Sequence, residues 1–223
     1  MVDSRRGLGM TALQRWLWGA VAGSLVLAVA GCSSSGGGSG GSGAATVPRA
    51  PTATASASVR SPYPSDVPLT GRNTMPGEKP PVYPEAARAD TQTGANAFAE
   101  FFIQTLDWAY ATTNPSYMKH YSGPSCGLCA GLVDGIAKTA GTEHWYVGGR
   151  LNVRSVDGVP IAPVTAPANY CSRVTVDVSA TRVVDARNHV YNQQEPLTDQ
   201  PFKLCAERHQ KEWVTTYFNG MKS

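Results

Sequence analysis

No catalytic signature runs through this 223-residue sequence. It has no Gly-x-Ser-x-Gly elbow and no phosphate-cradling glycine loop. That removes the sequence grounds for a serine-hydrolase nucleophile or a nucleotide-phosphate site. The four histidines, His120, His144, His189 and His209, form neither an HxH nor an HExxH pattern, so neither a metal nor a cofactor is expected. Charge is scarce, at 16% of residues, and the basic residues do not cluster. From Pro80 onward there are 12 Lys+Arg against 13 Asp+Glu, so the overall +3 resides upstream and a nucleic-acid partner is not expected. Arg150, Arg154, Arg173, Arg182 and Arg187 are interleaved with Asp157, Asp177 and Asp185 and read as solvated strand faces. Glu100 and Asp107, seven apart, read as ordinary exposed helix charges. Long apolar runs are also missing. The one run before position 32, Trp16 to Gly31, has 16 residues, short of the roughly 20 that a membrane-spanning helix needs.

What is present starts with that run. Arg5, Arg6 and Arg15 precede it, and Val29-Ala30-Gly31-Cys32 follows the pattern of a bacterial lipobox, an aliphatic residue and two small ones before a cysteine. Residues 1–31 are therefore expected to be a lipoprotein signal peptide. Cys32 is expected to carry a diacylglycerol, with palmitate-type acylation, and to anchor the chain on the extracytoplasmic face of the cell membrane. Ser4-Arg5-Arg6-Gly7-Leu8 loosely resembles a twin-arginine export motif, but the general secretory route is favoured. Residues 32–80 read as a disordered tether. Ser33 to Gly43 is only Ser and Gly, and an Ala/Thr/Ser/Pro-rich stretch follows. Residues 81–223 are long enough for one domain with a real core.

In that domain a helix is expected from a cap at Asp90 or Thr91 to about Thr112, with Phe98, Phe101, Phe102, Leu106, Ala109 and Tyr110 on one apolar face. Asn114-Pro115 should open a short helix with Tyr117, Met118 and Tyr121. Ser125 should cap a third helix, in which Cys129, Leu132, Val133 and Ile136 share a face and which Gly141 closes. The period then changes to two. Trp145 to Arg154 reads as one strand with a bulge or sharp bend at Gly148-Gly149, followed by Tyr170 to Thr181, a third strand with Phe202, Leu204 and Ala206, and a fourth with Trp213, Thr215 and Tyr217. Helices followed by antiparallel strands give an α+β fold, helices packed on a curved sheet of about four strands.

Ala109-Tyr110-Ala111-Thr112, Cys126-Gly127-Leu128-Cys129 and Gly148-Gly149 together resemble a family of actinobacterial lipoproteins with a domain of unknown function, over about residues 80–220. The resemblance implies a cone similar to the nuclear-transport-factor-two-like superfamily, in which a bent sheet wraps the helices around a pocket. It implies no activity.

With Cys32 acylated, Cys126, Cys129, Cys171 and Cys205 remain, an even number outside the membrane and hence two expected disulfides. Cys171 shares a strand face with Arg173 and Thr175, and Cys205 one with Lys203 and Glu207. Adjacent strands would bring these two cysteines opposite each other and leave Cys126 with Cys129. The competing reading of Cys126-Gly127-Leu128-Cys129 is a redox centre at a helix N-terminus, working as a thiol–disulfide oxidoreductase. It lacks the preceding strand and βαβ frame that such enzymes have. Trp108, Tyr110, Trp145, Trp213 and Tyr217 are candidates to line a pocket in the cone, against the plainer reading that they fill the core. The function this supports is a lipid-anchored, non-catalytic envelope module that binds an envelope protein or a small ligand.

Overall fold

The computed structural model describes residues 61–161 and 166–221; the expected signal peptide, Cys32 and the tether up to residue 60 lie outside the described residues. The fold is α+β, with three α-helices and two antiparallel sheets of three and four strands that do not close into a barrel.

Helix α1, Gln92–Thr112, is the centre of the domain. Thr91 caps it, its hydroxyl accepting from the Gly94 N–H at 3.1 Å. The helix stops at Thr113, which takes the left-handed conformation (φ 52°) just before Asn114-Pro115. Phe98, Phe102 and Ala109 have no exposed surface, but neither have Ile103, Thr105 and Ala111, so the helix is enclosed on more than the expected stripe. What covers it is a segment assigned from sequence to the tether. Ser61–Pro80 lies against α1: Trp108 Nε1 donates to the Pro68 carbonyl at 2.9 Å and the Asn73 N–H to the Ala111 carbonyl at 3.1 Å. The described part of the stretch assigned to the tether therefore packs on the domain, where a few hydrogen bonds and Val67, only 6% exposed, hold an otherwise proline-rich segment in place. A short 3₁₀ turn, Glu85–Arg88, leads from it into α1.

Helix α2, Ser116–His120, is opened by Asn114, whose side chain accepts from the Ser116 N–H at 2.9 Å. Helix α3 spans Gly127–Gly141. Its cap is Cys126, not Ser125: the Cys126 sulfur accepts from the Cys129 N–H, while the Ser125 hydroxyl donates to the Thr216 carbonyl.

Seven strands follow among the described residues, in a four-stranded antiparallel sheet such as was expected and a second sheet of three. The four-stranded sheet has the order β2 (Leu151–Val159), β3 (Tyr170–Val178), β6 (Leu197–His209), β7 (Glu212–Gly220). The three-stranded sheet has the order β1 (Trp145–Gly148), β4 (Thr181–Val184), β5 (Val190–Gln194). The additional strands arise at one corner. Gly148 and Gly149 have φ of 74° and 70°, and opposite them the chain breaks at Ser179-Ala180. Gly148 pairs with Thr181 and Leu151 with Val178, so two long strands bend together and each contributes to both sheets. The expected bend is at Gly148-Gly149, but it divides the sheet rather than curving it. Strand β5, Val-Tyr-Asn-Gln-Gln, carries little apolar alternation and is paired on one side only.

Candidate functional site

The five residues named as candidates for a pocket lining do not surround one cavity among the described residues, and two of them follow the plainer core reading. Trp108 and Trp213 are 2% and 1% exposed and fill the core, Trp213 with its indole N–H on the Ala87 carbonyl at 2.7 Å. Tyr217 pairs across β7–β6 with Cys205. Tyr110 packs edge-on against Tyr146, ring centroids 4.8 Å apart. The two tyrosines border a cavity of about 40 Å³ with Thr181, Val183, Asn192 and Gln194, room for water rather than for a ligand. Burial pushes both phenol groups above the ordinary tyrosine range. The interior, where the family resemblance implied a pocket, is occupied by the Phe98, Phe101, Phe102, Tyr117 and Tyr121 rings, which pack on one another at centroid distances of 5.0–6.5 Å, in line with the plainer reading that aromatics fill the core.

Trp145 opens to solvent in a sizeable depression, a groove of about 470 Å³. Two helix ends build it. Thr113, past the end of α1, and Glu143, past the end of α3, both hold positive φ (52° and 58°), and both line the groove with Arg72, His144, Trp145 and Ala186. Non-glycine residues rarely take this conformation, and each costs on the order of 1 kcal/mol or more, so the packing around them fixes the rim. Arg72 lies over Trp145, its guanidinium carbon 4.1 Å from the ring centroid. At that distance the cation is attracted to the face of the indole ring. Among the described residues no carboxylate stands within ion-pair distance of Arg72.

The aromatic surface continues onto the three-stranded sheet. The His144 ring stacks on Tyr191 at 4.0 Å, with its Nδ1 2.9 Å from the Thr142 hydroxyl. His189 meets Tyr191 edge-on at 4.6 Å. Tyr191 donates from its hydroxyl to Asp185 at 3.1 Å, and the Arg187 and His189 N–H groups also donate to that carboxylate. These bonds hold the Asp185 carboxyl below its ordinary range, the His189 N–H contributing most, and raise the Tyr191 phenol. Tyr191 remains 54% exposed and Val190 40%. Sequence reasoning missed Arg72, His144 and Tyr191 as neighbours. No local pattern joins positions 72, 144 and 191.

Next to the groove lies a charged cluster that was also missed. Arg150, read from sequence as a solvated strand residue, donates to Asp107 (Nε at 3.0 Å, Nη2 at 2.7 Å), to Glu78 and to the Asn73 carbonyl. Asp107 also accepts from the Leu151 N–H at 2.8 Å. The Arg150 hydrogen bond draws the Glu78 carboxyl below its ordinary range, and the Met75 N–H adds to this. Every charge in this cluster is met within the domain, so its chemistry is structural. Among the described residues, no group of three or more His, Cys, Asp or Glu side chains is placed to hold a metal ion.

The cysteines form two disulfides, Cys126–Cys129 and Cys171–Cys205. Cys171 and Cys205 stand directly opposite in the β3–β6 register. Cys126 and Cys129 are 1% and 0% exposed, so a partner thiolate has no path to either sulfur.

Fold and groove together define a disulfide-braced α+β domain with an open aromatic–polar groove. The chain belongs to DUF6318, a family of unknown function, whose model matches residues 76–219. No curated protein matches it. Among solved structures, the crystal structure of the intermembrane space region of the chloroplast protein ARC6 aligns at 15% identity and a TM-score of 0.39, covering 60% of this chain and 99% of that one.

Proposed function

We propose that this protein is a lipid-anchored, extracytoplasmic interaction module of the cell envelope, and that the Trp145 groove is where it meets its partner. The observation that carries the reading is the Arg72 guanidinium held on Trp145, with no carboxylate at ion-pair distance among the described residues, on a rim fixed by two left-handed helix stops. A groove this open suits an extended polar ligand or a protein segment bearing a carboxylate or other anionic group. A compact apolar molecule needs enclosure, which the filled interior does not offer. The lipobox at Val29–Cys32 and the disulfides support placement outside the cytoplasm, and no described helix is long and apolar enough to cross a membrane.

The test is crosslinking in the native envelope with a photoreactive residue at Ala186, in the wild-type background and with Arg72→Ala plus Trp145→Ala. Discrete adducts that fall at least tenfold in the double variant, with an unchanged melting temperature, are the expected result. Adducts that persist in the double variant would refute the groove. The alternative, thiol–disulfide exchange through Cys126–Cys129, is less well supported because both sulfurs are buried. Catalysed insulin reduction by the purified protein would revive it.

A further inference from the structure

A second exposed surface lies on the segment that joins the domain to the upstream chain. Pro62, Tyr63, Leu69, Met75, Pro76 and Pro80 wall a groove of about 640 Å³ whose lining is mostly apolar. Leu69 is 59% exposed and Met75 66%, and Val82, two residues past the last wall residue, is 56% exposed. These are half of the six large hydrophobic side chains exposed among the described residues, gathered within fourteen positions. Leu69 and Met75 line the groove itself, and Val82 lies just beyond it in the chain. Lys79 also lines it, and Glu78 beside it is taken up by Arg150.

We infer that this face rests on the lipid surface to which the chain is anchored. The inference depends on acylation at Cys32, part of the reading proposed above. The argument for lipid as the occupant comes from where the chain enters. Residues Pro62 and Tyr63, among the first described, are themselves walls of the groove, and 28 residues separate Cys32 from Ser61. At no more than about 3.6 Å per residue, those 28 residues keep the groove within about 100 Å of the bilayer. Confinement to that radius is an effective concentration on the order of a millimolar, at which a small apolar face engages a surface it would not find from bulk solution. In the interfacial geometry the exposed Leu69 and Met75 side chains dip into the headgroup boundary, with Lys79 at the phosphates. The Trp145 groove is left for a partner.

The test uses the full acylated protein in phosphatidylglycerol–phosphatidylcholine vesicles doped with a photoactivatable phosphatidylcholine. Adducts are mapped by mass spectrometry for the wild type and for L69E/M75E. Adducts concentrated in residues 62–82 and cut at least fivefold by the double substitution, with melting temperature unchanged, are expected. Adducts spread evenly, centred elsewhere, or indifferent to the substitution would overturn the inference. So would their loss when envelope proteins are added back, which would assign the face to a protein. The same spectra read the mass at Cys32: acylation with adducts elsewhere fails only this inference, and an unacylated Cys32 fails the lipoprotein reading.

Discussion

Arg150 ties three remote parts of the chain together through side chains that are each only partly exposed: 27% for Arg150, 18% for Glu78 and 17% for Asp107. Removing a partner leaves a charge short of hydrogen bonds, which costs about 3–5 kcal/mol when burial is complete. Here Glu78 remains and water reaches the guanidinium, so Asp107→Ala should cost about 2 kcal/mol in urea unfolding. Asp107→Asn should cost less, since its amide oxygen still accepts from the Leu151 N–H. The same cluster sets an acid limit. Glu78 has a folded-state pKa below its unfolded value, so the unfolded state binds the proton first. Its contribution is present above the ordinary carboxylate pKa of about 4.3 and is lost as pH falls through the lower folded value. The unfolding free energy should therefore fall less steeply between about pH 5 and pH 2 in Glu78→Gln than in the wild type, as followed by denaturant titration at each pH. None of this was legible from positions 78, 107 and 150 alone. Asp107 reads as one more helix charge until β2 starts beside it.

At the scale of the elements, the sheet corner is the sharpest dependence of fold on sequence. A Cβ on Gly148 would stand 2.0 Å from the Ala180 carbonyl oxygen, on backbone at φ 74°. Gly148→Ala should lower stability by about 2–3 kcal/mol, because the left-handed strain and the backbone clash act together and the carbonyl is held by the Gly149 N–H at 3.0 Å. Gly77 has φ 79° but nothing within 4 Å, so Gly77→Ala isolates the conformational cost, about 1 kcal/mol. Thermal melts of the two variants should separate clash from conformation. The first two helices were legible because their caps are local: Thr91 and Asn114 act on their immediate neighbours, as the Gly-Gly pair does at the sheet corner. Strand β5 was not, because its pairing with β4 depends on the Asp185 turn rather than on apolar alternation within Val190–Gln194.

For the molecule as a whole, the two disulfides differ in what they constrain. Cys171–Cys205 closes a separation of 34 residues and Cys126–Cys129 one of 3. In the chain-entropy model these are worth about 4 and about 1.6 kcal/mol. Cys171→Ala/Cys205→Ala should therefore lose roughly twice the stability of Cys126→Ala/Cys129→Ala in denaturant titrations. Equal losses would mean that strain or packing outweighs loop closure. Either variant should leave partner capture by the Trp145 groove intact if the domain remains folded.

The sequence by itself determined what short range controls: helix caps, the position of the glycine corner, the even set of cysteines and the opposition of Cys171 to Cys205 on neighbouring strands. Each follows from one residue's effect on adjacent backbone or from a period of two. Only the tertiary structure decided that the aromatic interior is filled, that Ser61–Pro80 belongs to the domain, and that Arg72, Trp145, His144 and Tyr191 share a surface. Those are contacts across tens to more than a hundred residues, set by how α1, the sheet corner and the N-terminal segment close on one another, and no local pattern records them.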